Sequence, residues 1–225
     1  SPNCFPDAMT MQLSETLEHL QTDYADIYIL HRDNPDVPIG EFVDVLNEHA
    51  DAGRIGIFGG SNWTIDRLRA ANEYAAANGK RGFSVVSNQL SLAVMNGPVW
   101  EGCISARSEA WSAFLQESQM SLLPWSSQAR GFFVPDRAAP DKRDDAEMVR
   151  CWYSDDNFER LSRAKAMARE KGVLPLNIAL AYVLCQPIHM FPLIGPQSLD
   201  ETWTSLRSLD LELSPEELRW LDLQD

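Results

Sequence analysis

Four runs along the chain hold apolar residues over strand length and then turn polar at their C-terminal ends. They cover residues 25–31 (ADIYILH), 54–62 (RIGIFGGSN), 83–89 (FSVVSNQ) and 121–126 (SLLPWS). Between them apolar positions recur at helical spacing: Leu13, Leu17 and Leu20 before the first run, Ile39, Phe42, Val43 and Leu46 before the second, and Ile65, Leu68, Ala71 and Ala75 before the third. Alternation of strand and helix predicts a parallel sheet. In parallel barrels the C-terminal strand ends face the active site. His31, Ser61, Asn62, Gln89 and Trp125 are therefore expected in reach of one another.

The remaining pattern fills in the connections. Gly53 is expected to close the helix after Leu46, and Thr64 to cap the helix that begins at Ile65. Residues 93–105 show no period, and a helix is expected over 109–116. A long loop over 127–153 carries Gly131, Pro135 and Pro140, a length that in compact domains usually serves function. Helices are expected from Asp156 and over 176–185, followed by a fifth strand at 189–194. Ser198 with Glu201, and Ser214 with Glu217, each read as a capping box, the second reinforced by Pro215. No linker or internal repeat breaks the pattern, so residues 1–225 are expected to form one domain.

Composition narrows the class. The 225 residues carry a formal net charge of −14. That disfavours nucleic acid as a partner, because duplex binding needs a basic face. An anionic cofactor can still be held locally, by backbone N–H groups at helix starts. No apolar run reaches membrane-spanning length, and the first residues lack the order of a signal peptide. Cys4, Cys103, Cys151 and Cys185 are scattered, which argues against a metal site or disulfide frame and for a cytoplasmic protein.

The strand ends carry suitable chemistry for a carbonyl and a planar carboxamide. A histidine at His31 can hydrogen-bond and polarise a carbonyl, although a lone histidine is more often a core group satisfied by the backbone. The primary amides of Asn62 and Gln89 offer donors and an acceptor to a carboxamide such as that of nicotinamide. For Ser61-Asn62 simple turn chemistry is the competing explanation. Trp125 offers a flat face for stacking, or a plain core aromatic. Ser126, Ser127, Gln128 and Arg130 form a polar segment suited to a diphosphate. The run Leu193-Ile-Gly195-Pro-Gln197-Ser198 leads into a capped helix start, a natural phosphate site.

Taken in order, these pieces resemble the aldo-keto reductase family. The resemblance rests on the run from Leu17 to His31, on Gly59-Gly-Ser-Asn-Trp63, on Ser87-Asn-Gln89, on Leu122-Leu-Pro-Trp-Ser-Ser127, and on Ile194-Gly-Pro-Gln-Ser198 through Ser205. It implies a (β/α)8 TIM-barrel fold that moves hydride between NADH or NADPH and a small-molecule carbonyl. By that resemblance His31 orients the substrate, and Ser61, Asn62 and Gln89 hold the carboxamide. Trp125 stacks on the nicotinamide where the family usually has tyrosine. Ser126, Gln128, Gly195, Gln197, Glu201 and Ser205 line the rest of the cofactor.

Two departures matter. The family's catalytic set includes a tyrosine, an aspartate and a lysine on strands preceding the histidine strand. Here a helix alone precedes it, so the expected strands correspond to the fourth through eighth of an incomplete barrel. A completing segment of a longer polypeptide, or a second chain, is therefore expected; unpaired sheet edges are a liability. Gly195 and Glu201 stand where NADPH-preferring members place basic residues, which favours NAD(H). A catalytically incomplete module that binds nicotinamide, or a structural half-barrel, remains open beside the reductase reading. Residues over the mouth, with Trp100, Phe132, Phe133 and Trp152, suit an uncharged or aromatic carbonyl.

Overall fold

The computed structural model describes residues 4–224. Among these, a parallel sheet of four strands is ordered β1 (Ala25–Leu30), β2 (Ile55–Ser61), β3 (Val85–Ser87), β4 (Ser121–Leu122), neighbours in space as in sequence. Before and between them run α1 (Pro6–Leu20), α2 (Ile39–Asp51), α3 (Ile65–Ala77) and α4 (Glu109–Ser118). Beyond β4 come α5 (Ala146–Trp152), α6 (Asp155–Lys171), α7 (Pro175–Leu184), α8 (Leu199–Leu206) and α9 (Pro215–Leu221).

Local chemistry sets these boundaries. Thr64 accepts from the Arg67 N–H at 3.2 Å and starts α3, and Ser154 accepts from the Asn157 N–H at 3.2 Å and starts α6. Gly172, at φ 68°, ends α6 in the left-handed conformation that glycine adopts without steric cost. The apolar stripes meet in one core containing Leu13, Phe42, Leu46, Phe58, Leu68, Val86 and Leu122, each at most 1% exposed. Burying such side chains supplies roughly 1.5–3 kcal/mol each before entropy is charged.

Three sequence expectations need correction. The fifth strand at 189–194 does not form as a regular strand. Its backbone follows β4, with Leu122 donating to the His189 carbonyl at 2.8 Å and Phe191 donating to Leu122 at 2.8 Å. Leu193 still donates to the Pro124 carbonyl at 3.0 Å, but Pro124 has no N–H to return to Phe191, so the ladder dwindles to a single bridge between Leu122 and Met190, and β4 itself spans two residues. The stretch 127–153 is not one loop: it contains a short 3₁₀ turn (Ala129–Gly131) and α5. Ser198 caps α8, but Glu201 accepts from the Gln197 N–H at 2.7 Å rather than from Ser198, so its capping box is shifted by one residue. Ser214 and Glu217 form the complete reciprocal box.

Buried asparagines pin the irregular segments. Asn157 is fully buried; its amide donates to the carbonyls of Val94 and Trp152 and accepts from the Val94 N–H, each at 2.7–2.8 Å. Asn72 does the same for Phe83, and Asn47 for Arg81. Such bonds satisfy backbone groups that no ladder reaches. They give 90–105 a fixed path over the strand ends.

Candidate functional site

The parallel register brings the strand ends to one edge of the sheet. Leu30 lies opposite Gly60, Ser61 opposite Ser87, Val86 opposite Leu122, and Gln89 bridges to Trp125. Gly59 and Gly60 of β2 permit this closeness. A methyl group on Gly59 would run into the Val85 carbonyl, and one on Gly60 into the Trp63 ring.

At the middle of this edge the polar residues form a buried amide layer. Ser61 donates to the Ser87 carbonyl at 2.7 Å. Asn62, held at φ 58°, donates from its amide to Ser61 Oγ at 3.1 Å and accepts from the Ile104 N–H at 3.1 Å. Gln89 donates to Ser91 Oγ at 2.9 Å and accepts from Ser105 Oγ at 3.0 Å. Residues 104–105 thus cross the strand ends and occupy one bonding position on each amide. Each amide keeps a second N–H, so capacity for a ligand remains. A left-handed asparagine is backbone strain of the kind that concentrates at functional sites.

Toward β4 the edge opens into a cleft of about 710 Å³. Of the eleven residues expected from sequence, Ser126, Gln128, Gly195, Gln197, Glu201 and Ser205 line it together. One wall is the turn 126–131, in which Ser126, Ala129, Arg130 and Gly131 all have positive φ. The other is the approach to α8. Gln128 donates to Ser205 Oγ at 3.2 Å and Ser127 to the Leu193 carbonyl at 2.7 Å, which ties the two walls. Arg130 and Arg137 supply positive charge, but Glu147 holds the first at 2.7 Å and Asp145 stands 3.7 Å from the second. Trp125 is half-buried between the cleft and the amide layer, and its indole nitrogen is buried with no partner among the described residues.

His31 does not share this cleft. Its imidazole is exposed just past β1 and lines a separate cavity of about 470 Å³ with Cys4, Tyr28, Arg32 and Phe42. Burial, then the Asp33 carboxylate, push the Cys4 thiol above its ordinary value, which keeps it protonated and unreactive there. Phe132, Phe133 and Trp152, expected at the mouth, are fully buried in the core; Trp100 alone of that set is exposed. Sequence reasoning missed Asn88, which accepts from the Asn62 N–H at 2.7 Å and donates to the Trp63 carbonyl at 3.0 Å. Its signal was visible: a third amide residue directly beside Gln89 at a buried strand end.

Among the described residues no cluster of metal-ligating side chains occurs, and no helix is long and apolar enough to cross a membrane. Fold and site together define an α/β protein with a parallel sheet and a cleft at its strand ends. The sequence matches the aldo/keto reductase family profile over residues 4–223, and the chain belongs to that family. It is 26% identical over 221 residues to the Saccharomyces cerevisiae protein AAD10, named for aryl-alcohol dehydrogenase, covering 96% of this chain and 73% of that protein. It is 29% identical over 217 residues to norsolorinic acid reductase of Aspergillus flavus, covering 96% of this chain and 52% of that protein. An aldo/keto reductase from Klebsiella pneumoniae, solved with NADP and acetate, superposes with a TM-score of 0.72 at 21% identity, covering 96% of this chain and 64% of that one. The fold is thus similar to aldo-keto reductase TIM barrels. The chain spans about half to three quarters of the length of these relatives.

Proposed function

We propose that this chain is the cofactor-holding part of a nicotinamide-dependent oxidoreductase acting on a carbonyl or its alcohol. The observation that carries the reading is the 710 Å³ cleft between the 126–131 turn and α8, within the size range of cofactor pockets. Its donors suit a dinucleotide: hydroxyls from Ser126 and Ser205, the second N–H of the Gln128 amide, and Arg130 beside them. The unpartnered indole N–H of Trp125 and the spare N–H groups of Asn62 and Gln89, in the buried layer that adjoins Ser126 of the cleft, support their assignment to a ring bearing a carboxamide. When bound, the cofactor supplies or accepts the hydride.

This chain's own residues bind and orient. Ser61, Asn62 and Gln89 are assigned to the carboxamide and Trp125 to the nicotinamide face. Gly195, Gln197 and the α8 start take the adenosine end. His31 aims the carbonyl, and its cavity beside β1 is where a completing segment would deliver the proton donor that the resemblance requires. The Klebsiella relative carries NADP. Glu201 nevertheless lines the cleft here with a carboxylate that would repel a 2′-phosphate and accept from a 2′-hydroxyl, which favours NAD(H). The names of the yeast and Aspergillus relatives support an aromatic substrate.

Calorimetric titration with NADH and NADPH, followed by turnover of an aromatic aldehyde, tests the reading. Saturable binding is expected, tighter for NADH, with the order reversed in Glu201→Arg. Turnover is expected when a segment carrying the family's tyrosine, aspartate and lysine is present. Binding without turnover in the completed protein would favour a regulatory module. Absence of binding to either cofactor would leave a structural role.

A further inference from the structure

Gln89 is assigned to the cofactor's carboxamide, and its own amide is oriented by a chain of bonds that leads away from the cleft to the C-terminal turn. The side chain is buried. Ser105 Oγ donates to its Oε1 at 3.0 Å, and its Nε2 donates to Ser91 Oγ at 2.9 Å. Ser91 decides the direction. Its hydroxyl donates to the Ala93 carbonyl at 2.8 Å, and a carbonyl can only accept. The hydroxyl hydrogen is thus committed, a lone pair faces Gln89, and the amide must turn its nitrogen toward Ser91. The second N–H on that nitrogen then points in one fixed direction.

The Ser91 backbone is held from outside the sheet. Arg107, just before α4, donates to the Ser91 carbonyl and to the Asp222 carboxylate, and its guanidinium lies 5.4 Å from the Tyr182 ring centre. Asp222, one residue past α9, also accepts from the Tyr182 hydroxyl at 3.1 Å and from Arg160 at 3.3 Å. Next to Arg107, the Ala106 N–H donates to the Gln89 carbonyl at 2.7 Å, so Arg107 ties together the two ends of the segment from 91 to 107. Covering two guanidinium groups around one carboxylate costs desolvation that pairing offsets only in part. A neutral side chain at this position would bury less charge, but it would leave the Ser91 carbonyl unheld.

We propose that Arg107 is a positioning residue for the nicotinamide subsite. Braced by Asp222, it fixes the Ser91 backbone. Through the Ser91 hydroxyl it sets the Gln89 amide to donate to the oxygen of the cofactor's carboxamide. The C-terminal turn thereby bears on cofactor affinity although Asp222 does not line the cleft. A donor already held in its bound pose needs no ordering when the ligand arrives. This rests on the reading of Gln89 as a carboxamide holder.

The test compares the unmodified chain with Arg107→Met, Arg107→Lys, Ser91→Ala and the double variant Ser91→Ala/Arg107→Met, each first checked for a native circular dichroism spectrum. Dissociation constants are measured for NADH and for ADP-ribose, which shares the adenosine and phosphates but has no carboxamide. Arg107→Met and Ser91→Ala should each weaken NADH roughly 3- to 10-fold, the worth of one hydrogen bond, and change ADP-ribose less than twofold. Arg107→Lys keeps the charge beside Asp222 but not the planar fork, and should lose less than Arg107→Met. The double variant should lose no more than the larger single loss, because both residues act through one amide. Should Arg107→Met not fold, Arg107→Lys takes its place in the cycle. Equal losses for both ligands would make Arg107 a support of the fold alone and overturn the proposal. Unchanged NADH binding, or additive losses in the double variant, would overturn it as well. If neither ligand binds the unmodified chain, the cofactor reading falls and the assignment with it; NADH binding that every variant leaves intact removes the assignment alone.

Discussion

Two regions of the molecule are finished in opposite ways. Beside α6, α7 and α9, Asp222 gathers Arg107, Arg160 at 3.3 Å and the Tyr182 hydroxyl at 3.1 Å. All four side chains are largely covered, and burial pushes the Tyr182 phenol up to about 12, so it stays a neutral donor. At the β1 edge the reverse holds. Ile27 and Ile57, direct partners in register, are 47% and 44% exposed, and His31 is exposed beyond them. One region buries charge and pairs it; the other leaves apolar surface bare. The enclosed cluster is expected to weigh most on stability, while His31 stands beside exposed apolar surface.

The largest expected effect strikes the enclosed cluster. Asp222→Ala leaves two covered guanidinium groups without their carboxylate and should cost about 3–5 kcal/mol, read as a fall in the urea midpoint. A loss below about 1 kcal/mol would mean that solvent reaches this cluster and the contrast is weaker than drawn. Asn88→Ala comes next, at about 1–3 kcal/mol, because it orphans the Trp63 carbonyl and removes the stronger acceptor of the Asn62 N–H. It should also weaken dinucleotide binding, since Asn62 loses its fixed pose; a stability loss with unchanged binding would detach the amide layer from the cleft.

A smaller effect concerns His49, which joins α1 to α2 beneath the β1 edge. Arg54 can only donate, at 3.4 Å to Nδ1, so Nε2 carries the proton and donates to Thr10 at 2.9 Å. Burial first, then Arg54, lower its pKa, against a weaker opposing pull from Glu48. The unfolded chain therefore takes up the proton first. This contribution is fully present above the ordinary value of 6.5 and is lost as pH falls below it toward the lowered folded value. His49→Gln should flatten the stability profile between pH 7 and 5; an unchanged slope would assign the acid sensitivity elsewhere. Smallest is Ile27→Thr. On a bare face it should shift stability by no more than about 0.5 kcal/mol. A cost near 2 kcal/mol would show that something covers that face in solution.

Much of the sheet was legible because strand period, polar strand ends and serine caps each reside within a few residues, and the residues from Ser126 through Ser205 that line the cleft were grouped by the family resemblance of two short runs. The fifth strand misled because 189–194 reads as apolar β while its partner Pro124 withholds a ladder donor that only pairing reveals. Phe132, Phe133 and Trp152 read as mouth residues because a charged, proline-bearing stretch surrounds them; Trp152 instead enters the core on α5, and Phe132 packs there on Phe133, Tyr153 and Phe158. The separation of His31 from the cleft was invisible for another reason. Sequence order puts the strand ends on one edge, but residues 104–105 lie over the amide layer between the two cavities, held by bonds from Asn62 and Gln89 across 15 to 42 positions of sequence.

The central claim is that the cleft beside β4, not the cavity beside β1, receives the dinucleotide. Hydrogen–deuterium exchange with and without saturating NADH, repeated with NADPH, tests it most directly. The account predicts slowed exchange over 126–131 and 195–205, with residues 4–12 and 28–32 unchanged. Protection confined to the β1 side, or no protection at either place, would contradict it.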